Sequence, residues 1–153
     1  MSKPNHEPHL VSNLVEDLAR KVRRQCEHYV KMDDSGAFDD NLGNMCAVAS
    51  GALFQALSRK GIKVSFIKGH YLFQGNDRWG NHCWVMVEDQ VIVDITATQF
   101  GDLPQVLICS VHDGHYYNEA QFDNWVEIQV ALQDWDDQRP TRTKALSILK
   151  IAA

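Results

Sequence analysis

The stretch N-H-C-W-V-M-V-E-D-Q-V-I-V-D-I-T-A-T-Q-F, residues 81–100, most narrows what this chain can fold into. Two apolar runs flank Glu88-Asp89-Gln90, the pattern of an antiparallel hairpin. With a turn centred near 89, position 84 lies opposite 94 and position 82 opposite 96. His82 and Asp94 then become diagonal neighbours on one face, within side-chain reach. Polar side chains in strands otherwise bound for a core need partners, and these two supply one another's. Their shared face is expected to pack against the helix that precedes the hairpin.

That helix is expected to start near Asn44 or Met45 and run to Lys60. It carries a stripe of Ala49, Ala52, Leu53, Ala56 and Leu57, stopped by Gly61. Small residues on the stripe suggest close packing on a sheet. An earlier helix is expected from Leu10 to about Val30, followed by a polar loop over 31–44. Further strands are expected at Val64–Ile67 and Gln105–Ser110, besides Trp84–Val87 and Val91–Ile95 in the hairpin. Residues 69–80, with three glycines, read as a long exposed connection. Asn118 to about Asp136 reads as a helix through Phe122, Trp125, Val126, Gln129, Leu132 and Trp135, with a short helical tail from Thr143. The order defines an α+β domain over residues 9–153, preceded by a disordered 1–8.

Composition excludes several classes of function. The 153 residues carry a net charge of -5, which argues against nucleic acid as a partner. The basic run Arg20-Lys21-Val22-Arg23-Arg24 reads as a solvated helix face. No apolar run reaches the roughly 20 residues that span a bilayer, so no membrane partner is expected. The N-terminus lacks a hydrophobic signal region, which points to a cytoplasmic protein as made, with signal-independent export left open. Cys26, Cys46, Cys83 and Cys109 are irregularly spaced and read as free thiols.

Of these, Cys46 is placed for chemistry. At the first turn of a helix, free N–H groups and the helix dipole favour thiolate over thiol. The same N–H groups can hold an oxyanion. A thiolate wants a base and the base wants an orienting acid, and His82 and Asp94 fit those parts. Taken singly, each has a plainer reading: a buried small side chain, a satisfied core histidine, a strand-terminal cap. Cys83 alternates to the face opposite His82 and reads as structural, which also makes a shared metal site awkward; no metal is expected. Cys26 and Cys109 read as core fillers. Trp79 is a candidate rim of the acyl pocket. Gln99 either bonds near the site or faces water. The V-H-D-G-H-Y-Y segment, residues 111–117, reads as a solvated polar loop or a cleft wall.

Across residues 41–100 the chain resembles the transglutaminase-like superfamily of papain-fold enzymes. The resemblance rests on Cys46, the stripe Ala49 to Leu57, Gly61-Ile62, Gly69, His82-Cys83-Trp84-Val85 and Val93-Asp94-Ile95-Thr96 in this order. It implies a papain-like core with a catalytic helix on an antiparallel sheet. It also implies a Cys46 nucleophile, a His82 acid–base and an Asp94 orienter acting on a protein or peptide amide without a cofactor. Water as acceptor gives a protease or glutamine deamidase; an amine gives cross-linking. D-I-T-A-T-Q-F is similar to the ending of small bacterial effector domains that deamidate glutamine. Leader peptidases of the lasso-peptide type share the core and size, and an idle binding module retaining the fold is the non-enzymatic alternative. Papain places a glutamine before its cysteine to complete the oxyanion hole; here Asp40, Asn41 and Asn44 occupy that approach, and Asn41 or Asn44 is the candidate donor. The calcium dependence of multi-domain transglutaminases does not carry over. Oligomeric state is not legible.

Overall fold

The computed structural model describes residues 12–33, 38, 41–43, 45–73, 75 and 77–135. The expected disordered start, the C-terminal tail, Asp40, Asn44 and the Trp135 side chain lie outside the residues so described. The architecture is α+β, with three helices and a five-stranded antiparallel sheet among the described residues.

Helix α1, Asn13–Met32, begins where the Ser12 hydroxyl accepts the Val15 N–H at 3.3 Å. Val15, Ala19, Val22, Cys26 and Val30 form its buried stripe. Arg23 departs from the expected solvated face: it is only 4% exposed. Its guanidinium donates to the Ile95 carbonyl at 2.8 Å, the Thr98 hydroxyl at 2.9 Å and Glu27 at 3.0 Å. A buried guanidinium is tolerable only when its donors are matched in this way.

Helix α2, Cys46–Ser58, is buried at every position from Ala47 to Leu57. Its alanines and Gly51 let it fit between α1 and the sheet, so the small residues serve a helix enclosed on all sides. Gly61 takes a left-handed φ of +76° and turns the chain out of the helix.

The sheet runs β4-β3-β2-β1-β5. Strands β1, Val64–Leu72, and β2, Trp79–Val87, form a hairpin with strands much longer than expected, and half of 69–80 lies in those strands. The turn proper is short, closed by Phe73 N–H donating to the Arg78 carbonyl at 2.7 Å. Gly69 is required inside the ladder: a Cβ there would lie 1.9 Å from the Tyr117 carbonyl oxygen and 2.9 Å from the Trp84 ring. The β1–β5 register shifts beside it.

Strand β3, Val91–Asp94, pairs with β2 in the expected register, Val85 opposite Val93 and Val87 opposite Val91. The turn places Glu88 and Asp89 both at left-handed φ. A 3₁₀ turn, Ala97–Phe100, leads to β4, Leu107–Ser110. Residues 118–122, expected as the start of a helix, and Tyr116 and Tyr117, expected in a loop, together form the edge strand β5, Tyr116–Phe122. The last helix, α3, is Trp125–Trp135 and starts after Asn124, whose side chain accepts the Glu127 N–H at 3.0 Å.

The two faces of the sheet differ. Phe66, Cys83, Val85, Val87, Val91 and Val93 join α1 and α2 in the main core. Ile67, Trp84, Ile92 and Cys109 make a smaller cluster on the other face, with Met86 and Tyr116 against it.

Candidate active site

His82 and Trp84 share the second face, turned away from α2, which overturns the expectation that the His82–Asp94 face packs on that helix. The His82 ring stands edge-on to Phe100 at 4.6 Å and near Trp84, Tyr71 and Tyr116 at 5.8, 6.1 and 6.5 Å. Its Nε2 lies 2.7 Å from Asp94 Oδ2, with both side chains fully buried. The diagonal pair read from the hairpin register is therefore formed.

Asp94 is held by three donors. Besides His82, the Tyr116 hydroxyl donates to Oδ2 at 2.8 Å and the Thr96 N–H to Oδ1 at 3.0 Å. A buried carboxylate so surrounded stays compensated without water. Burial, with the Asp94 charge beside it, holds the Tyr116 phenol well above its ordinary pKa, which keeps it a donor.

The sulfur reaches this pair around the open side of β2. Pairing between β2 and β3 stops at Val85, so β2 before Val85 has no β3 partner. Cys46 occupies the start of α2 at that opening, and its sulfur hydrogen-bonds to the Cys83 thiol, to the Cys83 N–H and to His82. Because Nε2 points at Asp94, Nδ1 is the nitrogen that faces the sulfur. The Gln99 amide nitrogen, donating to the Thr96 carbonyl at 3.0 Å, sits 3.4 Å from Nδ1.

The electrostatics follow from these contacts. The Cys83 hydrogen bond, opposed by burial and joined by the hydrogen bond and charge of His82, draws the Cys46 pKa well below its ordinary 9.0. For His82 burial opposes the charged ring, but the Asp94 charge and hydrogen bond, with Cys46, prevail and raise it from 6.5 to about 9. Together these favour a thiolate–imidazolium pair at neutral pH. The raised histidine contributes stability that is complete below about 6.5 and lost as pH rises through about 9. The lowered thiol contributes with the opposite sign, lost as pH falls through its own folded value.

A cleft of about 540 Å³ opens onto the half-buried sulfur, and Lys68, His70, Asn81, Gln99 and Glu119 are among its walls. Glu119 is 3.1 Å from His70 and 3.8 Å from Lys68. The α2 N-terminus has no side-chain cap, which leaves its first-turn N–H groups to other acceptors.

The oxyanion-donor and pocket-rim candidates fare unequally. Asn41 does not line the cleft; its side-chain oxygen accepts the Gly43 N–H at 3.2 Å, building the turn that leads into α2. Trp79 is also outside the cleft lining, half-exposed and edge-on to Tyr117 at 6.4 Å. Gln99 does line the cleft, as does Asn81, which sequence reasoning passed over although it adjoins His82.

Tyr116 and Arg23 were likewise missed. The first was hidden in an apparent polar loop, the second in an apparent solvent face. Cys83, read as structural, meets the Cys46 sulfur. Among the described residues no group of three or more His, Cys, Asp or Glu side chains is placed to hold a metal ion, and no helix is long and apolar enough to cross a membrane.

No family model matches the chain, and neither a curated protein nor a solved structure matches it.

Proposed function

We propose that this protein is a cysteine-dependent enzyme of the transglutaminase-like, papain-fold type, acting on an amide of a protein or peptide. Cys46 is the nucleophile, His82 the acid–base and Asp94 the orienter. The observation that carries this reading is the buried 2.7 Å His82–Asp94 bond, whose imidazole also hydrogen-bonds the sulfur at a helix N-terminus.

In this mechanism the Cys46 thiolate attacks the amide carbonyl, and the oxyanion is met by first-turn N–H groups of α2. A side-chain donor from Asn81 or Gln99 is within the same cleft. The imidazolium gives its Nδ1 proton to the leaving nitrogen, and Asp94 holds the ring through Nε2. The acyl-thioester then passes to water or to an amine, with His82 taking the proton of the acceptor.

Intact-mass measurement of candidate glutamine-containing proteins and peptides after incubation with the protein tests this. Cleavage marks a protease, a gain of about 1 Da with the chain intact marks a deamidase, and cross-linking with loss of ammonia marks an amine acceptor. None of these, in a preparation whose Cys46 reacts normally with thiol reagents, sinks the proposal.

A further inference from the structure

Cys83 forms no bond to substrate in that mechanism, serving there only as a hydrogen-bond partner of the Cys46 sulfur, yet it lies against the sulfur that does. It faces α2 from β2, is 3% exposed, and belongs to the main core against which Cys46 packs. The two thiols are hydrogen-bonded, line one solvent-connected cleft, and are both free. The other two cysteines are placed elsewhere: Cys26 is buried in α1 and Cys109 sits in β4 on the far face of the sheet.

We propose that Cys46 and Cys83 form a peroxide-responsive pair, in which Cys46 is oxidised first and Cys83 closes a disulfide onto it. The disulfide is a reversible modification that blocks the nucleophile. Its formation stands on the thiol pair alone; only its consequence for turnover rests on the acyl-transfer reading.

The steps balance with hydrogen peroxide as oxidant. The Cys46 thiolate attacks one peroxide oxygen and the O–O bond breaks. The departing hydroxide takes a proton from the His82 imidazolium, leaving a sulfenic acid and one water. The Cys83 sulfur then attacks the Cys46 sulfur, the S–O bond breaks, and the hydroxyl leaves with the Cys83 proton as a second water. Two thiols and one peroxide become one disulfide and two waters, and an added dithiol reverses the change.

The environments divide the labour between the sulfurs. The half-buried Cys46 sulfur, which the cleft reaches, is the one held toward thiolate, the species that reacts with peroxide. Burial, reinforced by the neighbouring Cys46 charge, keeps Cys83 protonated and away from solvent. It therefore meets its partner's sulfenic acid rather than free oxidant.

The test is non-reducing peptide mapping of the full chain after titration with hydrogen peroxide, together with Cys83→Ala and Cys83→Ser. The expected result in the native chain is a peptide pair joined through Cys46 and Cys83, a loss of about 2 Da, and return of both thiols with dithiothreitol. In either variant Cys46 instead proceeds to sulfinic and sulfonic acid, which dithiothreitol does not restore. Because mapping needs no turnover, a native chain that forms the link but hydrolyses nothing refutes the enzyme and not the redox pair. Over-oxidation of Cys46 at the same rate with and without Cys83, and no Cys46–Cys83 link, overturns the inference.

Discussion

Cys26 in the middle of α1 and Cys46 at the start of α2 are the same residue in adjacent helices with opposite chemistry. Cys26 is completely enclosed by the core, and burial pushes its thiol up to about 12 despite the nearby Arg23 charge. Cys46 is drawn in the other direction by the Cys83 hydrogen bond and by His82, although burial opposes the shift there too. What separates them is what the sulfur can accept. Mid-helix, every nearby N–H is spent on the helix ladder and the lining is apolar. At the helix start, an unpaired strand edge and a charged imidazole present donors.

The comparison is broken most completely by Cys46→Ala. Turnover of any amide substrate is expected to fall by about 10⁴-fold or more; Cys26→Ala should alter stability alone, and steady-state rates of both variants make the check. Asp94→Asn comes next. It removes the charge that holds His82 protonated, so a loss of about 10²–10⁴-fold in kcat is expected. With it, the upper pH limb should move down from about 9, read from a pH–rate profile.

Arg23→Met probes a polar link between the two regions, since Arg23 lies one turn before Cys26 and bonds the backbone just after Asp94. Leaving the Ile95 carbonyl unmatched and taking from the Thr98 hydroxyl its donor, while that hydroxyl still donates to the Asn41 carbonyl, should destabilise by about 2–3 kcal/mol, measured by denaturant unfolding. Tyr116→Phe is the mildest. Deleting one of three donors to Asp94 should cost about 1 kcal/mol, seen as a severalfold fall in kcat with KM little changed.

Much of the site was readable because local rules govern it. A tight turn at 88–90 fixes the register, and the even positions of His82 and Asp94 fix a shared face. Which face that was did not follow, because strand alternation places Cys83 and not His82 toward α2. The sulfur nevertheless meets His82 because β2 and β3 separate beyond Val85, a feature of the chain path after Asp94. The glycines of 69–80 looked like loop signals, but Gly69 is small to admit the Tyr117 carbonyl of a strand 48 residues later in the chain. Strand β5 was read as helix from Asn118 on for a similar reason: its N-E-A-Q centre is largely exposed, and only pairing with β1 makes it a strand. Arg23 was unreadable because two of its acceptors, the Ile95 carbonyl and the Thr98 hydroxyl, lie more than 70 residues away.

The most direct measurement is residue-resolved iodoacetamide labelling of the native chain between pH 5 and pH 9, with His82→Ala in parallel. The account predicts that Cys46 labels rapidly at pH 6 while Cys26 stays unlabelled, and that His82→Ala slows Cys46 at pH 6 by about 10²-fold. A Cys46 rate that rises only near the ordinary thiol value, indifferent to the loss of His82, would contradict it.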